Sequence, residues 1–433
     1  MMQAEIIAFG DELTSGQRLD TNSQWLSQQL AECGIRVLFH TTAGDDLVAG
    51  CDVFRHAIQR ADVIVSTGGL GPTADDLTRE CIAAACGVDL TRDESVLEHI
   101  RALFACRGRA MPERNVVQAM FPRGSRPIPN PHGTAPGIDI QVSRSGRNPA
   151  RIFALPGVPA EMHDMWMATV RNALAGLSGD NRCMIRHRAI HCYGTGESAI
   201  EAMLPDLIRR GRVPAVGITA SQATITLRIT AEGPSPEACC AAMQPTADTI
   251  YQCLGDYIFG EDGDTLQDVV IRLLVQRGQT LATVECDSGG TLAQWLSAGD
   301  PDRRVHRGGW VLRDPVSIAS VLKNAGGASE TQSPLTETGL QTLAANCRTI
   351  FRTDYALALG PFPPQIESAS GPPPVYIAAA GPAAVYGHST PYAGHPDILL
   401  PRTVKEALNF LRLRLQAEES NEPAVRSSPI LPP

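Results

Sequence analysis

Two adjacent carboxylates, Asp75 and Asp76, stand just beyond a glycine-rich turn. They lie in the run Val65-Ser-Thr-Gly-Gly-Leu-Gly-Pro-Thr-Ala-Asp-Asp-Leu-Thr-Arg-Glu80. Glycine lacks a Cβ, so backbone N–H groups at Gly68, Gly69 and Gly71 can approach an anion closely, and a helix N-terminus adds partial positive charge. That chemistry suits a phosphate. The expected donors are the N–H groups around Gly69 and Gly71, with the Thr73 hydroxyl beside them. Carboxylates repel phosphate, and a divalent cation resolves the conflict, because Mg²⁺ is typically held by one or two carboxylates plus substrate phosphates. The plainer alternative makes Asp75 or Asp76 a helix N-cap.

The elements around this run say where it must sit. Ala61-Asp-Val-Ile-Val-Ser-Thr reads as a buried strand ending at the glycines, and Cys81 to Cys86 as an apolar helical run after them. Upstream, Glu5-Ile-Ile-Ala-Phe is a strand that breaks at Gly10-Asp11-Glu12. Ser23, or Asn22, is placed to cap a helix carrying Trp25, Leu26 and Leu30 on one face. Arg36 to His40 is the next strand and Cys51 to Arg60 the next helix. Alternating strand and helix predict a parallel sheet with helices on both faces, and ligands in such sheets bind beyond the carboxyl ends of the strands. Asp11 and Glu12 therefore face the same crevice as the glycine loop, and the expected cation ligands are Asp75, Asp76, Asp11 and Glu12. A solvated turn is the alternative for Asp11 and Glu12.

Pro122 to Gly137 reads as loop from its prolines and glycines. Its polar groups are Asn130, His132, Gly133 and Thr134; His132 is either a base or ligand, or a solvated loop histidine. Ile152-Phe-Ala-Leu is another strand, which breaks into Pro156-Gly157-Val158-Pro159 before a helix opens at Ala160-Glu161-Met162.

These motifs resemble the CinA-like proteins, whose first domain is related to the molybdopterin-binding fold. GGLGPTxDDxT is matched by the glycine run, and LPGVPxEM is complete from Leu155 to Met162. The resemblance implies that Gly68, Gly69, Gly71, Thr73, Asn22, Pro156 and Gly157 bind a nucleotide. It also implies that Asp75 and Asp76 act in metal-dependent hydrolysis of an ADP-ribose-type diphosphate. A divalent metal ion such as Mg²⁺ is the implied cofactor, with room for a monovalent cation, and a homodimer is the implied assembly. The same loop would serve a pterin-binding module without hydrolysis.

Three domains are expected. Residues 1–172 form the nucleotide domain. Residues 183–260 form a small α+β unit with a Gly194-Thr-Gly-Glu-Ser turn in which Ser198 precedes a helix, and no chemistry is evident there. Residues 262–420 resemble the C-terminal domain of the family, which hydrolyses the amide of nicotinamide mononucleotide, and 421–433 read as a disordered tail. The resemblance places a serine nucleophile, a tyrosine and a lysine where this chain has Cys286, Leu312 and Ser317. A nucleophile without its basic partner is poorly activated, so the amidase site is expected to be degenerate. The competing reading is an amidase using Cys286, its thiol activated at a helix N-terminus with His306 as base. A third reading is a regulatory protein with two relic sites.

Composition bounds these readings. The 433 residues are 43% hydrophobic and carry a net charge of -9, which argues against a broad nucleic-acid partner. No apolar run of about 18 residues suggests a membrane span. The N-terminus reads as a strand and not a signal peptide, so a cytoplasmic location is expected. Twelve scattered cysteines without a CxxC pair read as buried thiols. The expected partner is a small-molecule nucleotide.

Overall fold

The computed structural model describes residues 2–177, 183–324, 336–363 and 371–420. The tail expected over 421–433 lies outside them. The chain divides into two compact units, residues 1–187 with 230–244, and residues 188–229 with 245 onward.

The first unit is built on six strands: β1 (Gln3–Phe9), β2 (Arg36–Ala43), β3 (Val63–Thr67), β6 (Arg126–Ile128), β7 (Gly137–Arg144) and β8 (Arg147–Leu155), ordered β2-β1-β3-β8-β7-β6. Two short strands, β4 (Leu90–Arg92) and β5 (Met120–Pro122), pair separately. The expected parallel sheet is therefore corrected. β2, β1, β3 and β8 run parallel, whereas β7 pairs antiparallel with both β8 and β6. The cause is local: β7 and β8 are joined by the tight turn Ser145-Gly146, which returns the chain directly instead of through a crossover helix. The segment read as loop over 122–137 likewise contains β6.

Helices α1 (Asp11–Thr14), α2 (Thr21–Glu32), α3 (Leu47–Arg60), α4 (Thr78–Cys86), α5 (Glu94–Cys106), α6 (Pro159–Met165) and α7 (Arg171–Leu177) complete this unit. The pleat sorts its core into two layers. Ala4, Ile6, Val63, Val65 and Phe153 face Leu26 and Leu30 of α2 and Met162 of α6. Ile7, Ile64, Ile152 and Ala154 face Phe54 and Ala57 of α3 and Ile82 of α4. Helix α2 starts one turn earlier than its apolar face suggested. Asp20 is its N-cap, accepting from Ser23 N–H at 2.9 Å, so neither Ser23 nor Asn22 caps it.

A second sheet, ordered β10-β11-β9-β12, holds β9 (Met184–Cys192), β10 (Ala215–Ser221), β11 (Thr224–Gly233) and β12 (Ile258–Glu261), with α8 (Glu197–Met203) and α9 (Pro236–Leu254). Gly196, not Ser198, is the N-cap of α8. The third sheet lies in the second unit. It comprises β13 (Leu281–Cys286), β14 (His306–Leu312), β15 (Tyr355–Leu359), β16 (Pro374–Ala380) and β17 (Val385–Pro391), ordered β14-β13-β15-β16-β17. Helices α10 (Leu266–Arg277), α11 (Thr291–Gly299) and α14 (Pro396–Ser420) pack on one face, and α12 (Pro315–Asn324) and α13 (Glu337–Phe351) on the other. The fold is thus mixed α/β throughout. No helix among the described residues is long and apolar enough to cross a membrane.

The cysteines only partly meet expectation. Cys51, Cys81, Cys192, Cys239, Cys286 and Cys347 are buried, but Cys106 and Cys240 are exposed.

One buried charge anchors β1. Glu5 is fully buried and receives Arg60 bidentately at 2.7 and 2.6 Å, with Thr41 donating a third bond at 2.7 Å. Arg60 in turn stacks 3.9 Å from the Phe39 ring centroid. Removing the cation leaves a carboxylate in the core with one weak donor. Arg60→Ala is expected to destabilise the first unit by about 2 kcal/mol, in the range for a hydrogen bond to a charged group, because the Arg60 side chain is itself 40% exposed. Scanning calorimetry checks this, and an unchanged transition would show that the charge is compensated elsewhere.

Candidate functional site

The carboxyl ends of β1, β2, β3 and β8 meet at a cleft of about 560 Å³. That lies within the usual range for small-molecule sites. Its lining includes Gly10, Glu12, Asp45, Gly68 to Pro72, Asp75, Asp76, Thr134 and Pro156 to Pro159. A smaller compartment of about 40 Å³ adjoins it and shares Phe9, Glu12, Arg18, Gly68 and Gly157.

The glycine loop is shaped from both sides. Asp76 accepts from Gly71 N–H at 2.8 Å, from Thr73 N–H at 2.9 Å, and from the Thr73 hydroxyl in a short bond. A side chain at position 71 would collide with that carboxylate, which is why glycine is needed there. Below the loop, the fully buried Arg79 donates to Leu70 O, and to Gly71 O at 3.2 Å. Burial pulls the Arg79 guanidinium down to about 10, against the pull of Glu80 and Asp76. Thr78 closes the hinge to α4, its hydroxyl donating to Gly68 O at 2.9 Å and its N–H to Gly69 O at 3.1 Å. Helix α4 is capped at Leu77, so neither aspartate is an N-cap.

This geometry separates the roles expected of the run. Gly71 N–H and the Thr73 groups, expected to meet phosphate, instead bond Asp76. Among the described residues, the N–H groups of Gly69 and Leu70 donate to no backbone or side-chain acceptor. They are the unclaimed donors of the turn from Gly68 to Pro72. Asp75 is exposed.

The second strand–turn–helix is bound to the first. Asn22, released from capping, donates to Thr67 Oγ1 at 3.0 Å and to Gly157 O at 2.9 Å. Thr67 donates on to Pro156 O at 3.2 Å. Gly68 (φ 98°) has its α-carbon where a Cβ on Gly157 would lie 3.4 Å away, and its own missing Cβ would lie 2.5 Å from Phe9 O. The 130–135 loop joins them: Asn130 donates to Glu161 Oε2 at 2.7 Å and accepts from His132 and Gly133 N–H. The His132 ring turns outward to Asp164, 3.1 Å away, as a solvated loop histidine does.

Of the expected cation ligands, Glu12, Asp75 and Asp76 line the cleft. Asp11 instead forms a reciprocal pair with Asp45: each backbone N–H donates to the other's carboxylate, at 3.1 and 3.0 Å. Asp45 was not foreseen, although it follows the carboxyl end of β2, where ligands of such sheets gather. Its carboxyl is raised by partial burial and by the negative charges of Asp11, Asp75 and Glu12, against the Asp11 N–H. No three ligating side chains among the described residues converge to hold a metal alone. The described side chains thus form no closed protein cage for a metal. Arg79 gave no signal in the sequence, because its work is done on backbone, whereas Glu161 stood in the Leu155–Met162 motif without a role of its own.

In the second unit two of the three amidase positions, Cys286 and Leu312, are core, and Ser317 is half-buried. Cys286 is fully buried, and burial pushes its thiol up to about 12, with Asp287 and Glu285 adding to the rise. Leu312, its neighbour across β13 and β14, is buried beside it. The helix N-terminus that might have activated the thiol is occupied by Glu285, which accepts from Leu292 and Ala293 N–H at 2.9 and 2.8 Å. Ser317 N–H donates to Asp314 at 2.9 Å, at the start of α12. His306 pairs with Leu281, five residues from Cys286 along β13, which is roughly 17 Å at strand rise. His306 as base for Cys286 is thus corrected; its ring lies between Thr283 and Ser297 hydroxyls.

The first part of the chain, residues 5–176, matches the family model described as "Probable molybdopterin binding domain". Residues 187–260 match the damage-inducible protein CinA KH domain, and 263–415 the CinA C-terminal domain. A CinA-like protein of Frankia casuarinae is 34% identical over 430 residues, spanning 97% of this chain and 98% of that protein. A CinA-like protein of Nostoc is 34% identical, over 96% and 99%. The crystal structure of CinA from Thermoplasma acidophilum, with unknown function, is 35% identical over 40% of this chain and 97% of that one, with a TM-score of 0.35.

Native protein at pH 8 should react with a thiol reagent at Cys106 and Cys240 and spare Cys286, since only the thiolate attacks. Peptide mapping after brief labelling reads this directly. Modification of Cys286 as fast as the two exposed thiols would overturn its assignment to the core.

Proposed function

The chain belongs to the CinA family, and from that premise we propose that its first domain is a cation-dependent hydrolase of a nucleoside diphosphate of the ADP-ribose type. We read the domains as 1–172, 183–260 and 262–420. The observation that supports the activity is the cleft in which unclaimed N–H groups of Gly69 and Leu70 lie beside a rim of carboxylates. Backbone donors suit a phosphate's oxygens, and carboxylates suit the cation that travels with it.

In this reading Asp75 and Glu12 hold the cation, and Asp45 supports them. A divalent ion so held polarises a phosphoryl oxygen and makes an attacking water more acidic. Asp76 shapes the loop through Gly71 and Thr73, so that the Gly69 and Leu70 N–H groups stay directed at the ligand. Asn22 and Thr67 keep the Pro156-Gly157 turn against that loop. These residues bind and orient, and preorganised donors need no rearrangement as charge develops.

A binding module of the molybdopterin type is the second reading. It is favoured by the match of residues 5–176 to the probable molybdopterin binding domain. Turnover separates the two: purified protein with ADP-ribose and Mg²⁺ should release AMP and ribose 5-phosphate. Asp75→Ala should lower the rate at least about 10-fold and raise the Mg²⁺ needed for half-maximal activity. Asp76→Ala should weaken nucleotide binding as well, because it releases the loop. No turnover by wild type would end the hydrolase reading, and normal turnover by the Asp75→Ala/Asp76→Ala double mutant would end the assignment of these two carboxylates to it.

The C-terminal domain is read as a degenerate amidase. Serine at 317 is neutral and cannot serve as base, leucine at 312 offers no hydrogen bond, and loss of a base costs on the order of 10²–10⁴ in rate. Nicotinamide mononucleotide should therefore yield no ammonia with the full-length chain. Robust release that disappears in Cys286→Ala would mean that the site had been rebuilt around the thiol.

A further inference from the structure

The cleft has an unequal charge inventory. Its two compartments are lined by the carboxylates Glu12, Asp20, Asp45, Asp75, Asp76 and Glu161, and by one cation, Arg18. Arg18 is exposed, and among the described residues its guanidinium makes no ion pair, although Glu12 and Asp20 flank it in the chain. Its backbone is fixed, because Arg18 N–H donates to Glu12 O at 3.0 Å and so closes the 12–18 turn. The side chain lines both compartments and stands where they join.

An unpaired guanidinium among six carboxylates is unusual, because a neighbouring acid could have neutralised it. The arrangement keeps a planar, five-donor group available to an anion. The glycine loop already offers donors to one phosphate, at Gly69 and Leu70. A ligand with a second anionic group that reaches from those donors to the junction with the smaller compartment would meet Arg18 there.

We propose that Arg18 is the specificity-determining residue of this cleft: it engages the second phosphate and so selects nucleoside diphosphate derivatives over monophosphates. The assignment rests on the reading of the cleft as a nucleotide site. It does not require that the bound ligand be hydrolysed. Guanidinium and phosphate form charge-assisted, often bidentate bonds, which a lysine reproduces only as a point charge.

The test uses the full chain with Mg²⁺ and two non-reacting probes, α,β-methylene-ADP and AMP, in calorimetric titrations. Arg18→Ala should weaken α,β-methylene-ADP binding about 10- to 100-fold, as expected for a hydrogen bond to a charged group. AMP binding should change less than about 3-fold, and Arg18→Lys should fall between wild type and alanine. Circular dichroism of the variants controls for folding, which an exposed side chain should not disturb. In parallel, ADP-ribose turnover by Arg18→Ala should show a raised KM with kcat retained, because the contact is made equally before and during reaction. If wild type binds the methylene analogue through Arg18 but leaves ADP-ribose intact, the hydrolase reading falls and this one stands. Equal loss of AMP and analogue binding, no loss of either, or no binding of the analogue by wild type would each overturn the assignment.

Discussion

The first unit depends on one opposition of charge across a single loop. The carboxylate of Asp76 draws the N–H groups of Gly71 and Thr73 to one side, and the buried guanidinium of Arg79 draws the carbonyls of Leu70 and Gly71 to the other. A peptide held by both its ends cannot rotate, so the remaining N–H groups of the turn have a fixed direction. Burying an arginine is costly unless its charge is met. Here carbonyl oxygens and the nearby Glu80 and Asp76 meet it, leaving its Nε without a partner. The loop thus imitates, with its own carboxylate, part of what a bound anion would do for it.

This bears on what the sequence could disclose. Strand, glycines, proline and two acids announced a ligand loop, and the complete Leu155–Met162 motif announced its neighbour. Types and spacing carried that much because turns beyond parallel strands have few solutions. The division of labour between Asp75 and Asp76 was not legible. Both lie on the same stretch, and only the path of the backbone decides which one turns inward. Asp20 displaced Ser23 as a cap for a similar reason: four candidate residues stand in a row, and the first to meet a free N–H sets the helix start. The antiparallel strands β6 and β7 were hidden by Pro122–Gly137, whose loop-like composition masks three residues of pairing.

The second unit shows the other side of the same limit. Reading Cys286 as a displaced nucleophile was sound chemistry from the chain alone, since it ends a strand and precedes a helix. What the chain does not disclose is the layer in which a side chain lands. Cys286 and Leu312 land side by side in an apolar layer with Ala282, Val284 and Ala356. Glu285, one residue away, points to the opposite layer and holds α11. A scaffold whose strand–helix joint is secured by its own carboxylate can keep its shape after the neighbouring position has lost its chemistry.

The close approach of Gly68 and Gly157 has a mechanical consequence. With Thr67 tied to Pro156 and Asn22 tied to both turns, segments 89 residues apart in sequence behave as one wall. Displacing either turn would drag the other, so thermal excursions at this rim are correlated and small. A molecule arriving there meets a surface whose ordering entropy was lost when the chain folded, and it need supply little of its own.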